Sequence, residues 1–292
     1  MQKKEWIPVG AALLLLAFGA VYDYQITDTL YQTLPMTGMI FERFLLLPVQ
    51  MMTVLAMAML FRVKKNAFYL LIGYAASYYM LQDALHYWVS LQNSGVQLLL
   101  LAGSGGLIAV VQLVIQRIPY NWIQKHLSFF VFYTLVLLSA VLITTILKLA
   151  WGRIRYRDMQ DAAQFCVWYK PCGSIGSNSF PSGHTTAFTT LMCWLQWKKN
   201  PYEKPSVWRY LLIGTAILFM PLTRMIMGAH FLSDTAMGFL ITYGCITQKM
   251  STHNLSLIHI SLTVNLWDSW IAIHFLLSVK IIPFMLFLKR MR

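Results

Sequence analysis

The feature that most constrains the fold is a series of long apolar runs that recurs along the chain. Most of these runs approach the ~20 residues that an α-helix needs to cross the hydrocarbon core of a bilayer. Of the 292 residues, 58% are hydrophobic and only 11% are charged, whereas soluble domains average about 25% charged. Strands of a membrane barrel would alternate in polarity over ~10 residues, and these runs do not. The sequence therefore predicts an all-α, polytopic transmembrane helical bundle.

Eight apolar runs are predicted as spans, at 6–22, 41–61, 67–90, 97–116, 127–147, 184–197, 210–223 and 231–248. The first run has the position of a secretory signal. However, its apolar stretch is long, and no small-x-small cleavage site closes it before Tyr22 and Asp23. It is therefore predicted to be a retained first span.

Basic residues between the spans predict the orientation of the chain. The formal net charge of +13 can indicate a nucleic-acid partner, but the cations form short clusters between spans, which positive-inside sorting explains. Every second connection is basic, and the connections at 23–40 and 91–96 contain no Lys or Arg. The alternation predicts a cytoplasmic N-terminus, and no nucleic-acid partner is expected.

Two segments break this pattern, because they are predicted to face outward and are nevertheless basic. The segments at 148–183 and 224–230 contain Lys148, Arg153, Arg155, Arg157, Lys170 and Arg224. Sorting predicts few cations on that side of the membrane. Guanidinium and ammonium groups bind anionic oxygens, so the cluster indicates an anionic group bound beside the bilayer. Snorkelling at the lipid headgroups is the alternative for any single one of these cations.

A histidine and a carboxylate follow the second basic segment. His230 and Asp234 are four residues apart, which places both on one face of a helix. A carboxylate bonded to one imidazole nitrogen fixes the tautomer and leaves the other nitrogen free to attack an electrophile. For these two residues alone, a buried pair with a structural role is the alternative.

A second histidine lies at a predicted helix start, in Pro181-Ser182-Gly183-His184. Serine is a good N-cap, and glycine lets the backbone approach a ligand closely. The helix N-terminus attracts phosphate, and His184 in the first turn is placed to protonate a leaving oxygen. A capped helix start without a ligand is the alternative.

Together these residues resemble the type 2 phosphatidic acid phosphatase superfamily, which includes lipid phosphate phosphatases and shares its site with vanadium haloperoxidases. That superfamily shows Lys-x6-Arg-Pro, Pro-Ser-Gly-His and Ser-Arg-x5-His-x3-Asp, in this order. Here the three motifs read Lys148 to Arg155-Tyr156, Pro181-Ser182-Gly183-His184, and Thr223-Arg224 to His230 and Asp234. Tyr156 replaces the proline, and Thr223 replaces the serine. The resemblance covers roughly 127–248.

The resemblance implies a role for each motif residue. His230 attacks phosphorus and forms a phosphohistidine, His184 protonates the leaving alcohol and then activates water, and Asp234 orients His230. The groups that hold the phosphate are Lys148, Arg155, Ser182, Gly183 and Arg224. No metal or other cofactor is implied, and the sequence contains no HExxH motif or comparable carboxylate cluster.

The resemblance also implies a domain plan. Residues 1–126 are predicted to form N-terminal transmembrane helices and 127–250 the catalytic transmembrane core. The bundle as a whole is predicted to have a six-helix phosphatase-like core with extra helices. Six spans are usual in the superfamily, and eight are predicted here. The spans at 67–90 and 97–116 are therefore either an inserted pair of helices or the result of dividing the apolar sequence at the wrong place. The tail at 251–292 fits the charge rule poorly and is suspected of being non-native. Cys166 and Cys172 lie in the same loop. The sequence leaves two alternatives for them, a disulfide or two free thiols.

The implied function is a metal-independent membrane phosphatase that acts on lipid phosphate monoesters or diphosphates at the extracytoplasmic face. Its partners would be the lipid phosphate and the bilayer. Transfer of the phosphoryl group to another lipid is an alternative that uses the same site. A non-catalytic transporter or scaffold is an alternative of a different class. Short cytoplasmic loops without extra domains favour a bacterial inner or plasma membrane.

Overall fold

The described part of the chain consists of helices and the loops between them. The structure is a computed structural model that describes residues 6–31, 44–85, 89–173, 176–197 and 205–256, with side chains described up to 248. The α-helices in these ranges are α1 (Trp6–Tyr31), α2 (Leu47–Lys64), α3 (Ala67–Leu85), α4 (Ser94–Arg117), α5 (Tyr120–Trp151), α6 (Gly183–Thr189), α7 (Val207–Ile226) and α8 (Leu232–Ser256). Short 3-10 segments cover Tyr156–Asp158, Ala162–Gln164 and Thr190–Gln196. The all-α prediction is confirmed.

Several helices have the dimensions of membrane spans. Of the described helices, α1, α2, α4, α5 and α7 are long and apolar enough to cross a membrane. The prediction of a polytopic bundle is thereby confirmed. The predicted spans at 67–90, 184–197 and 231–248 correspond to α3, to α6 with its 3-10 continuation, and to α8, which are not among these five.

Helix α1 continues past its predicted end at Tyr22 and reaches Tyr31. The predicted span ended before Asp23, and an unpaired carboxylate is costly to remove from water. In the structure Asp23 is only 1% exposed, and an arginine pairs with it inside the protein. The helix therefore passes through this position without presenting the acid to lipid.

Helix α5 ends at a glycine, which lets the following basic residues leave the helix. Gly152 has a left-handed φ of 61°, and its N–H donates to the Lys148 carbonyl at 3.3 Å. Glycine adopts this conformation without the steric penalty of a Cβ. Lys148 thus stays on the last turn of α5, whereas Arg153 and Arg155 lie beyond it.

The packing brings α6 against the beginning of α8. Around them, α2 packs on α3, α4 and α5, while α6 packs on α5 and α7, and α1 packs on α7. Helix α8 approaches the start of α6 closely at Gly238, where a Cβ would lie 2.6 Å from the Ser182 carbonyl oxygen. Nearby, the Thr242 hydroxyl donates to the Thr186 carbonyl at 2.7 Å. A glycine at 238 is therefore required for this contact.

The chain divides into two compact units, residues 1–244 and 245–292. All of the predicted site residues belong to the first unit. In the second unit the described part is the end of α8, up to Ser256. The predicted tail at 251–292 otherwise lies outside the described residues, and the division at 126 and 250 stays a prediction.

Candidate active site

Three separate segments meet at one end of the helices: the turn after α5, the segment before α6, and the connection between α7 and α8. The Ser179 N–H donates to the Arg153 carbonyl at 2.9 Å, which joins the second segment to the first. The Arg157 N–H donates to the Gly228 carbonyl at 3.0 Å, which joins the first segment to the third. These backbone bonds bring the three sequence motifs to a common site.

His230 lies in the connection between α7 and α8 and is 2% exposed. The spacing predicted His230 and Asp234 on one helix face, whereas α8 begins at Leu232 and only Asp234 is helical. Its Nδ1 is 2.6 Å from the Ser179 carbonyl oxygen and 3.7 Å from Asp234 Oδ2. A carbonyl oxygen can only accept a hydrogen bond, so Nδ1 carries the proton and Nε2 keeps its lone pair. The Ser179 carbonyl therefore fixes the tautomer needed for attack through Nε2, and Asp234 Oδ2 lies 3.7 Å from the same ring nitrogen.

Asp234 acts on the imidazole through its neighbours. Its Oδ2 accepts hydrogen bonds from the Ser179 hydroxyl at 2.5 Å and from the Phe231 N–H at 2.8 Å. Ser179 thus links the two predicted residues, because its hydroxyl holds Asp234 and its carbonyl holds His230. Asp234 is fully buried, and its negative charge stays close enough to Nδ1 to stabilise positive charge on the ring.

The environment keeps the imidazole of His230 neutral. Burial lowers the pKa of His230 to about 3, and repulsion from Lys148 and Arg224 adds to this effect, while Asp234 opposes it. A neutral imidazole with a free Nε2 lone pair is the form that can attack phosphorus. The same interactions show that Lys148 and Arg224 lie within electrostatic reach of His230.

Two of the predicted cations converge on one asparagine. Lys148 Nζ donates to the Asn178 main-chain carbonyl at 2.6 Å, and Arg155 Nη2 donates to Asn178 Oδ1, also at 2.6 Å. Lys148 also lies beside Gly183, where a Cβ would be 3.7 Å from Lys148 Cε. Asn178 was not predicted, and it holds both cations at the start of α6.

The remaining predicted cation, Arg224, is in the last turn of α7 and is 1% exposed. Its Nη1 is 3.7 Å from Met227 Sδ. Its main-chain carbonyl accepts from the N–H groups of Ala229 and His230, at 3.0 and 3.3 Å. The end of α7 therefore also shapes the loop that presents His230.

The start of α6 is capped as predicted. The Ser182 Oγ accepts from the Thr185 N–H at 3.4 Å and from its hydroxyl at 3.0 Å. The Ser182 N–H donates to the Asp234 carbonyl at 2.9 Å, so the second and third motifs are in direct contact. Gly183 and His184 follow in the first turn and are both half-buried.

Arg153 has a different place from the one predicted for it. The sequence grouped it with the outward cations, whereas the structure buries it completely. Its Nη1 donates to Asp234 Oδ1 at 2.6 Å and to Ser233 Oγ at 2.9 Å. Its Nη2 donates to Asp23 Oδ2 at 2.9 Å, and its Nε donates to the Cys166 carbonyl at 2.8 Å. Asp23, the acid directly after the first apolar run, was the signal that could have indicated such a buried partner.

Tyr156, which stands where the superfamily has proline, fits the turn without distorting it. The preceding residue, Arg155, has φ −75° and ψ 148°, which is the conformation that a residue before proline adopts. The Tyr156 hydroxyl donates to Asp28 of α1, and its ring packs on Tyr24 and Tyr31. The substitution therefore adds a contact with α1 to a backbone that proline would also accept.

Cys166 and Cys172 form a disulfide, which decides between the two alternatives left by the sequence. The bridge closes part of the loop between α5 and α6, and this loop supplies the Cys166 carbonyl to Arg153. Within the part of the chain that the structure describes, no group of three or more His, Cys, Asp or Glu side chains is arranged to hold a metal ion.

Residues 129–256 match the family model described as the PAP2 superfamily. The matched segment contains all of the predicted site residues and excludes α1 to α4. No curated protein and no solved structure gave a significant match.

Proposed function

The chain belongs to the PAP2 superfamily through residues 129–256, and we propose that it is an integral membrane phosphatase that hydrolyses lipid phosphate monoesters or diphosphates. Members of the superfamily are phosphoesterases, so a hydrolase follows from membership. The observation that carries the proposal is the buried, neutral His230, whose Nδ1 proton is held by the Ser179 carbonyl. This arrangement supplies a nucleophile without a further proton transfer.

In the proposed first step, His230 Nε2 attacks phosphorus and the bond from phosphorus to the leaving oxygen breaks. His184 gives its proton to that oxygen, which leaves as an alcohol or a lipid phosphate. The imidazole gains positive charge as the N–P bond forms, and Asp234 Oδ2, 3.7 Å from Nδ1, stabilises this charge. In the second step His184 removes a proton from water, and the resulting hydroxide releases phosphate from His230.

The cations of the site are proposed to stabilise the charge of the transferring phosphoryl group. Lys148 and Arg155 are held side by side by Asn178, and Arg224 is held at the end of α7. Positive groups fixed before the reaction stabilise the transition state without reorganising during it. The Gly183 N–H and the Ser182 hydroxyl, at the start of α6, are proposed to complete the phosphate site.

The substrate is proposed to reach the site from the extracytoplasmic face. The charge alternation of the connections supports a cytoplasmic N-terminus and an outward site. The disulfide between Cys166 and Cys172 supports the same side, since such bonds persist in oxidising compartments. Candidate substrates are phosphatidic acid, phosphatidylglycerol phosphate and undecaprenyl diphosphate, presented laterally in a bacterial inner or plasma membrane.

The test is release of inorganic phosphate by the purified full chain in detergent. Each of the three candidate lipids is supplied in the presence of excess chelator. We expect release from at least one lipid and its loss in His230→Ala. The matched control is His126→Ala. His126 stacks on Trp197 and lies 22 positions before Lys148 on α5. It is therefore about 33 Å along the helix from this residue of the proposed site. Full activity in His230→Ala would exclude the mechanism, and a phosphorylated lipid product would indicate a transferase instead.

A further inference from the structure

Helix α1 lies outside the matched segment, yet it supplies a buried carboxylate to the centre of the site. We propose that Asp23 of α1 is a positioning residue for the reaction: it anchors Arg153, and through Arg153 it holds the Asp234 carboxylate beside His230. This role rests on the proposed function, since it concerns the step in which His230 attacks phosphorus. It extends the catalytic unit to a helix that the family comparison does not include.

Both oxygens of Asp23 are engaged. Oδ1 accepts from the Ser233 N–H at 3.0 Å, and Oδ2 accepts from Arg153 Nη2 at 2.9 Å and from the Ser233 hydroxyl. The Asp23 side chain is fully buried. A charged carboxylate is costly to bury within an apolar helix unless it is fully paired. The pairing found here therefore fixes α1 at one depth and rotation against Arg153 and Ser233.

Arg153 connects the two carboxylates. Its Nη2 donates to Asp23, while its Nη1 donates to Asp234 Oδ1 at 2.6 Å. The guanidinium also stacks over the Phe231 ring, 4.2 Å from the centroid. A planar guanidinium held at several edges has little freedom to rotate. Asp234 Oδ1 is consequently fixed, which leaves Oδ2 directed at Ser179 and at the imidazole of His230.

Asp23 also sets the charge of this network. When both are ionised, the two carboxylates with one guanidinium leave one negative charge in excess, and it lies beside the ring that becomes positive when Nε2 attacks. Replacing Asp23 by a neutral residue would leave the Arg153–Asp234 pair with no net charge. The phosphohistidine, whose imidazole carries positive charge while Nδ1 remains protonated, would then lose part of its electrostatic stabilisation.

The test is single-turnover formation of the phosphoenzyme by the full chain, with each of the three candidate lipids radiolabelled in its terminal phosphate. The reaction is quenched in alkaline detergent, because the N–P bond of phosphohistidine is hydrolysed in acid. The amplitude of the label reports the folded fraction, whereas the rate constant does not depend on that fraction. For Asp23→Asn we expect the rate constant to fall about tenfold or more, as when partners that orient catalytic ligands are removed, with a smaller change in KM. Ser233→Ala removes only the hydroxyl shared by Asp23 and Arg153, and a smaller fall is expected.

The matched control is Asp28→Asn, the same substitution five positions further along α1, where the side chain contacts Tyr156 and not the Arg153 network. A helix-docking role alone would lower the amplitude in Asp23→Asn and leave the rate constant unchanged. Rate constants within twofold of wild type in Ser233→Ala and in any folded Asp23→Asn overturn the proposal. If the wild type forms no phosphoenzyme with any of the three candidate lipids, or His230→Ala still forms it, the proposed function itself fails, which separates the two results.

Discussion

The contact between α6 and α8 makes a sharp prediction for Gly238. In Gly238→Ala the new methyl group would lie 2.6 Å from the Ser182 carbonyl oxygen, 3.0 Å from Thr186 Oγ1 and 3.3 Å from Thr186 N. Two of these three obstructing atoms belong to the backbone and cannot move independently of α6. Ordinary contact begins at 3.4 Å, so the two helices must separate locally by about 0.8 Å.

This separation acts directly on the site, because the Ser182 N–H donates to the Asp234 carbonyl across the same contact. Overpacking of this kind costs about 1–3 kcal/mol of stability. A displacement near 1 Å between groups that must cooperate can lower the rate by about 100-fold. We therefore expect Gly238→Ala to lower kcat/KM for phosphate release by about 10- to 100-fold and to lower the Tm.

Gly244 offers a matched control on the same helix. A Cβ at Gly244 meets no atom within 4 Å beyond its own neighbours, and alanine is favoured over glycine in a helix by about 0.5–1 kcal/mol. Gly244→Ala should therefore keep wild-type kcat/KM and an equal or higher Tm. Both variants are assayed in detergent for phosphate release and thermal unfolding. If Gly238→Ala matches Gly244→Ala in both assays, the close packing of α6 on α8 is refuted.

Three further predictions concern the hydrogen bonds and the charge of the site. Ser179→Ala removes the hydroxyl bonded to Asp234 and keeps the main-chain carbonyl; kcat should fall about threefold to tenfold, and wild-type kcat would exclude this link. The pKa of His230 is about 3 when folded and about 6.5 when unfolded, so its stabilising contribution is complete above pH 6.5 and is lost as the pH falls toward 3. Wild type should lose about 2 kcal/mol more than His230→Gln between pH 7 and pH 5 in denaturation curves, and equal losses would contradict the burial of a neutral imidazole. Tyr156→Pro should keep kcat within about threefold, since the backbone already suits proline, while its Tm falls; an inactive but folded variant would show that the turn had been misjudged.

The local parts of the site could be predicted from the sequence. Ser182 as a helix cap, and the closeness of His230 to Asp234, depend on interactions between residues close in the chain. The composition likewise predicted the all-α fold class, because each membrane-spanning segment of so apolar a chain must satisfy its own backbone hydrogen bonds. Eight helices were predicted and eight are found in the described ranges, although their ends differ by several residues.

The long-range parts could not be predicted from the sequence. The tautomer of His230 depends on the Ser179 main-chain carbonyl. Every residue has such a carbonyl, so the residue type at position 179 does not indicate this contact. Arg153 and Arg155 are two residues apart, yet one is buried between carboxylates and the other lies beside Asn178; composition alone treats them alike. Asp23 is 130 residues away from Arg153, so no local pattern could pair them.

The pairing of Asp23 with Arg153 has a consequence for how the protein is made. The ribosome adds Asp23 130 residues before it adds Arg153, the arginine that neutralises the acid. At about 5–20 residues per second, that delay is roughly 7–26 seconds. Throughout this interval Asp23 of α1 cannot pair with Arg153. Helix α1 can therefore reach its final position in the bilayer only after α5 has been synthesised and inserted.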